Sequence, residues 1–475
     1  MRRLKSSELL LFAFIFTATS NLRAENGWVD LFNGKDLNGW EQHSGKAKYF
    51  VQDGLLIGET VPNTGNSFLC PIKSYGDFEL ELEYLTDDNL NSGVQFRSDC
   101  FPEARTIRGE GNATTKLPPD RLHGYQCEID MDPVRNRMWT AGIYDEMRRN
   151  WLVPGRLGRE NKEFSEQGIK LSKVGQWNHL RILCVGNSIK TWLNGELRAN
   201  LSDAMTLSGR IGLQVHSTDG EAKKVGLHIK FKNIRIREIT PEPNTVSVDE
   251  QAFGWKLLWD GKTGEGWRSA KSESFPTAGW LMQNGALIVP ENGGEESAAA
   301  GDIITAKRYA NFELTGEVKY TPGANSGIKI FVQPNLSPID KVTGKPTKVG
   351  SSIGLEFQIL DDLKHPDAKL GHDGNRTLGS LYDLIPAPTN KVVKAIGEWN
   401  QIRILSKGKH VEFWLNGSKT VDFDRGSPQF LAAVAASKYK EISDFGAWAD
   451  GHILLQDHGN ETSFRNLKIR ELTAK

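Results

Sequence analysis

Gly175-Gln176-Trp177-Asn178-His179-Leu180-Arg181-Ile182-Leu183 returns later in the chain as Gly397-Glu398-Trp399-Asn400-Gln401-Ile402-Arg403-Ile404-Leu405. In each place a Trp-Leu-Asn-Gly turn follows, Trp192 to Gly195 and Trp414 to Gly417. The interval is far longer than the roughly 20–50 residues of a solenoid unit. It marks two tandem copies of a whole domain, and with them two candidate sites. Outward from this stretch the correspondence keeps its order. Leu31-Phe32-Asn33-Gly34-Lys35 answers Leu258-Trp259-Asp260-Gly261-Lys262, and Asn91-Ser92-Gly93-Val94 answers Asn325-Ser326-Gly327-Ile328. Gly209 to His216 answers Gly451 to His458. The expected division is a leader over 1–24, a first domain over 25–240, a proline-containing linker over 241–252 and a second domain over 253–475.

Strict alternation dominates both copies. Phe78, Leu80, Leu82 and Tyr84 interleave with Asp77, Glu79, Glu81 and Glu83, the period-two signature of a strand with one wet face. Turn pairs such as Asn33-Gly34, Asp53-Gly54 and Asn284-Gly285 separate short strands. The expected fold class is all-β: two tandem jelly-roll sandwiches, each of two antiparallel sheets packed face to face. Helix-period segments are nearly absent, with a short helix expected at Phe430 to Ser437.

Lys plus Arg and Asp plus Glu are both 59, so charge gives no case for nucleic acid or an anionic membrane as partner. Arg2, Arg3 and Lys5 precede an apolar run from Leu9 to Ala18, and Leu22-Arg23-Ala24 ends in a small residue. That is the layout of a secretory signal peptide cleaved after Ala24, too short to span a bilayer of about 30 Å. The expectation is an exported protein, periplasmic or secreted, with no membrane attachment after cleavage. Of the four cysteines, Cys70 and Cys100 flank strands and are the expected pair if a disulfide forms.

Polar residues inside strands otherwise built for burial mark the candidate sites. Gly124-Tyr125-Gln126-Cys127-Glu128-Ile129-Asp130 puts Gln126, Glu128 and Asp130 on one face, and Gly354-Leu355-Glu356-Phe357-Gln358-Ile359 does so for Glu356 and Gln358. The glutamate and glutamine exchange places between copies. Gln214 with His216, and Gln456 with His458, likewise share a face. If these strands are neighbours, each sandwich carries a carboxylate, amides and an imidazole on one concave sheet face. A solvated outer face is the alternative reading. Arg97 stands in phase with Gln95, whereas the second copy has Phe331-Val332 and no guanidinium there. The second copy instead carries a long charged loop from Asp361 through His365, running on to Arg376 and Tyr382. Tyr144 is the first copy's counterpart of Tyr382, either a sugar-stacking platform or strand packing. Glu and His could also hold a divalent metal, although no HxxxH pattern fixes one.

The runs NSGVQFR, GYQCEID, GQWNHLRI, WLNG and GRIGLQVH, with GLEFQILDD, HPDA, GSLYDLIPAP, GEWNQIRI and GHILLQDHGN, resemble the 3-keto-disaccharide hydrolase domain family, in two tandem copies. The resemblance implies concanavalin A-like sandwiches, export, and cleavage of glycosides oxidised to a ketone at C3, a 3-keto-glycoside or 3-keto-disaccharide being the partner. A C3 ketone acidifies the C2 hydrogen, so a base can start elimination of the C1 substituent, with water added back afterwards. Such chemistry needs a base, an electrophile for the enolate oxygen and a proton donor. Glu356 or His458 is the expected base, Gln358 and Gln456 orient hydroxyls, and His365 or a divalent metal stabilises the enolate. Arg376 and Tyr382 join them as substrate-binding candidates. Glu128 and His216 play the parallel catalytic roles in the first copy, with Gln126, Gln214, Arg97 and Tyr144 binding substrate. Two other functions stay open: a sugar-binding protein without catalysis, and a conventional glycoside hydrolase acting on unoxidised glycan.

Overall fold

The computed structural model describes residues 27–473 apart from 89, 109–113, 133–136, 297–299, 339–344 and 346–349. The expected leader lies outside the described residues. The first half is built on two large antiparallel sheets, with two small two-stranded ones beside them. The back sheet runs Glu196–Ser202, Ser188–Leu193, Asn178–Val185, Phe78–Thr86, His228–Glu238, Leu55–Glu59 and Lys48–Gln52, with Trp28–Asp30 added beside His228–Glu238. The front sheet runs Asn150–Val153, Ile143–Glu146, His123–Ile129, Ser92–Asp99, Arg210–Val215, Ser67–Pro71 and Trp40–Ser44. The second half repeats the plan with a front sheet of five strands, Trp267–Ser269, Ile303–Thr305, His452–Leu455, Asn325–Gln333 and Ile353–Leu360. The fold is thus two concanavalin A-like sandwiches in one chain.

The alternation does what period two requires. Phe78, Leu80, Leu82 and Tyr84 enter the core with Val94, Phe96, Tyr125 and Cys127 of the facing sheet. The opposite face is laced with ion pairs rather than simply wet: Glu79 takes Arg181 and Arg237, and Glu81 takes Arg235. The Trp-Leu-Asn-Gly turn earns its repetition through its asparagine. Asn194, in the left-handed region at φ 50, accepts from His179 N at 2.9 Å and donates to Asn178 Oδ1 at 2.9 Å. Asn416, at φ 46, accepts from Gln401 N and donates to Asn400 Oδ1, both at 2.8 Å. Each turn is thereby bolted to the Trp-Asn strand before it, which explains why both motifs recur together.

Helix Pro428–Ala436 occupies the alanine-rich stretch where one was expected. Among the described residues two further α-helices had no clear periodic signal. Asn161–Leu171 packs over the first half, where the buried Arg198 guanidinium donates to Phe164 O at 2.9 Å. Val248–Ala252 lies in the segment read as a linker, closed by a capping box between Ser247 and Glu250. Glu250 is buried; it accepts from Asn187 N of the first half at 3.1 Å and from Lys468 Nζ of the second at 2.7 Å. Trp255 Nε1 also donates to Ser202 Oγ, at 2.9 Å.

Candidate active site

In the second half two strands, and the residues that follow a third, build the floor of a cavity of about 230 Å³. Strand Asn325–Gln333 runs between Ile353–Leu360 and His452–Leu455, so the two strands read as candidate neighbours flank a third. That central strand supplies Lys329, which the sequence reading passed over. Its ammonium lies 3.5 Å from Glu356 Oε2, and both side chains are buried. Lys329 also donates to Ser351 Oγ and, at 3.3 Å, to Ser352 O. The Gln358 amide lies between Asn325 Oδ1 and Glu356 Oε1, 3.2 Å from each. Gln456 donates to Glu296 Oε1 at 3.3 Å. His458 lines the same cavity half-buried, its Nδ1 without a hydrogen-bond partner among the described residues. A Cβ on Gly327 would stand 2.4 Å from Glu356 Oε1. The glycine of Asn-Ser-Gly therefore makes room for the neighbouring strand's carboxylate.

The walls come from loops. Tyr382 backbone N donates to Glu356 O at 3.0 Å, and its hydroxyl donates to Asp367 Oδ2 at 2.8 Å. Burial pushes the Tyr382 phenol above its ordinary range. Arg376 does not line the cavity: it is pinned by Asp367 and Asp383, each at 2.7 Å, and so positions Tyr382 from behind. His365 does not line it either; its Nδ1 accepts from Asp367 N at 3.2 Å, and its ring meets His458 edge-on at 6.0 Å. Burial, helped by His458, lowers the His365 pKa. Lys438 and Tyr439 complete the wall, from the turn after helix Pro428–Ala436. Burial lowers the Lys438 pKa, which makes its ammonium a readier proton donor.

The first half has the same scaffold with different chemistry. By register Gln95 takes the place of Lys329, Gln126 that of Glu356, and Glu128 that of Gln358. Gln95 and Gln214 are buried with both amide ends unpartnered among the described residues. Asn91 and Gln126 donate to Glu128 at 2.9 and 2.8 Å. Burial, then the charge of Asp130, raises the Glu128 pKa to about 8. Tyr144 sits opposite Gln126 and donates to Asn150 Oδ1 at 3.0 Å. His216 Nδ1 lies 2.9 Å from Ser217 O.

Arg97 departs from its expected place. The backbone turns left-handed there, φ 46, and the register with strand His123–Ile129 slips between Tyr125 and His123. The break throws the guanidinium off the Gln95 face. It is fully buried and donates to Gly76 O at 3.0 Å, Gly186 O at 2.9 Å and Asp77 Oδ1 at 2.7 Å. Phe331 makes the same turn at φ 54, with Arg425 stacked 3.8 Å from its ring centroid. Cys70 and Cys100 are both free thiols, not a disulfide. Histidine, cysteine and carboxylate atoms converge within 4.8 Å in two groups among the described residues, and neither group lines this cavity. The cavity's own Glu356 is paired to an ammonium, so these residues do not form a divalent-cation cage.

Since burial raises the Glu128 pKa in the fold, protonated Glu128 is the form the fold favours. Its stabilising contribution is complete below about pH 4, falls as pH rises, and is gone above about 8. Glu128→Gln should remove that slope and gain stability at pH 8–9, measurable as a Tm difference that vanishes near pH 4.

A concanavalin A-like sandwich with a polar, ammonium-and-carboxylate cavity sunk in one sheet face defines the class of this protein. The model of the 3-keto-alpha-glucoside-1,2-lyase-like domain matches residues 27–237 and again 254–470. The chain belongs to that family, with two copies of its domain. A 3-keto-disaccharide hydrolase of Bacteroides thetaiotaomicron is 33% identical over 244 residues, 49% of this chain and 83% of the relative. A solved protein of Parabacteroides distasonis ATCC 8503, provisionally named a glycosyl hydrolase, is 28% identical at TM-score 0.40, covering 49% of this chain and all (100%) of that one. A carbohydrate-binding module of Bacillus subtilis is 16% identical at TM-score 0.24, covering 42% of this chain and 96% of that one.

Proposed function

We propose that the second half is a carbohydrate-active enzyme that cleaves 3-keto-glycosides by elimination across C1–C2 and then hydration. The observation that carries this reading is the buried Lys329–Glu356 pair at 3.5 Å on the cavity floor. C2–H and the C3 ketone are adjacent in such a sugar, so a base and a cation side by side suit them. Glu356 takes the C2 proton, and the electron pair moves onto the C3 oxygen, where Lys329 stabilises the enolate. The pair then returns to form C1=C2 as the C1–O bond breaks, and Lys438 protonates the departing oxygen. Water adds at C1 with His458 as base, the proton held by Glu356 returns to C2, and proton exchange through solvent from His458 to Lys438 restores both. Gln358 and Gln456 orient hydroxyls. The first half, with Gln95 in place of Lys329, binds sugar without this chemistry. The leader over 1–24 would place the reaction outside the cytoplasm.

The purified protein should release aglycone from a 3-keto-glucoside and leave the parent glucoside intact. Equal cleavage of both would favour a conventional glycoside hydrolase, and cleavage of neither would leave only a sugar-binding protein.

A further inference from the structure

We propose a divalent transition-metal site, of zinc type, in the first half, formed by His43 Nδ1, Cys100 Sγ and an Asp120 carboxylate oxygen. The three come from separate places: edge strand Trp40–Ser44, the residue after strand Ser92–Asp99, and the loop before strand His123–Ile129. Asp120 Oδ1 lies 2.6 Å from His43 Nδ1 and 3.2 Å from Cys100 Sγ, and the sulfur lies 3.5 Å from the same ring nitrogen. Metal bonds of about 2.0 Å to nitrogen and oxygen and about 2.3 Å to sulfur imply tetrahedral edges of about 3.3–3.6 Å. Both sulfur edges are near those lengths, and only the His–Asp contact must open, by about 0.7 Å.

A cysteine nucleophile would use one imidazole nitrogen for the thiol and the other for the carboxylate. Here both meet Nδ1, the arrangement of ligands around one ion. An outer contact suits a ligand set as well. Ser44 N donates to Asp120 Oδ2 at 3.0 Å, which holds the carboxylate in place. Asp120 is half exposed, which leaves an entry path and a fourth position for water. The other such group, His410, Glu412 and Asp422, already encloses the Lys419 ammonium, 2.7 Å from Glu412. The site is distinct from the cavity of the second half, and its role would be to tie Cys100 and Asp120 to the sheet edge at His43.

The test is titration of the reduced, metal-free full chain with Zn²⁺ and with Co²⁺. One equivalent should bind with a thiolate-to-cobalt absorption and a rise in Tm. Cys100→Ser should lose the absorption, Asp120→Asn and His43→Gln should bind at least about tenfold more weakly, and Cys70→Ser should behave as the parent. Absence of stoichiometric binding to the parent, a Cys70–Cys100 disulfide that persists in the chain as isolated, or an unchanged cobalt spectrum in Cys100→Ser would each overturn the proposal. Asp120→Asn guards against misfolding of the cysteine variant, because Asp120 is half exposed.

Discussion

Glu356→Gln is expected to lower kcat/KM on a 3-keto-glucoside by about 10²–10⁴-fold, the contribution of a positioned base. The amide keeps the shape of the carboxylate in the space left by Gly327, but accepts no proton at neutral pH. Lys329 is not stranded by the change. It keeps Ser351 and Ser352 O, and Asp302, which accepts from Ser351 Oγ, still faces it with negative charge. The fall should therefore appear in kcat with the far-UV spectrum unchanged. The same exchange at Glu128 should leave turnover nearly intact, since the first half has no Lys329. Full activity of Glu356→Gln would remove this glutamate from the mechanism.

Arg97→Met should cost about 3 kcal/mol of stability in urea denaturation, the lower end for breaking a buried ion pair, since Asp77 keeps some contact with water. Three acceptors lose their donor at once, two of them backbone carbonyls of the half-buried Gly76 and Gly186. Adding Asp77→Asn should recover part of the loss, because the two residues act as one unit. Neither change should alter KM. An unchanged denaturation midpoint would show that the guanidinium is not a strut.

Much of the fold was legible because its signals are local. Period-two alternation and Asn-Gly turns report on residues within a few positions of one another, and the asparagine bolts act over a single hairpin. The exchange of Glu and Gln between copies also survived into space, with Glu356 opposite Lys329 and Gln126 opposite Gln95. Lys329 itself was missed because the comparison of copies sought residue classes that recur, and the lysine is the position that differs. Arg97 was misplaced because phase counting assumes an unbroken strand, and a single left-handed residue reverses every face beyond it. Lys438 and Tyr439 sit on an irregular turn and carry no period to read. The strand order that sets Lys329 between Glu356 and Gln456 is a long-range fact, absent from any window of sequence.

The buried Glu250 has a consequence for ancestry. One carboxylate answers a backbone amide of one half and an ammonium of the other, from a helix that belongs to neither sheet. Chain ending before it would leave Asn187 and Lys190 without their acidic partners, and chain starting after it would leave Lys468 without its own. What began as a copied gene segment is now joined by a short helix whose acidic residues serve both halves, so a cut on either side of it strands a partner.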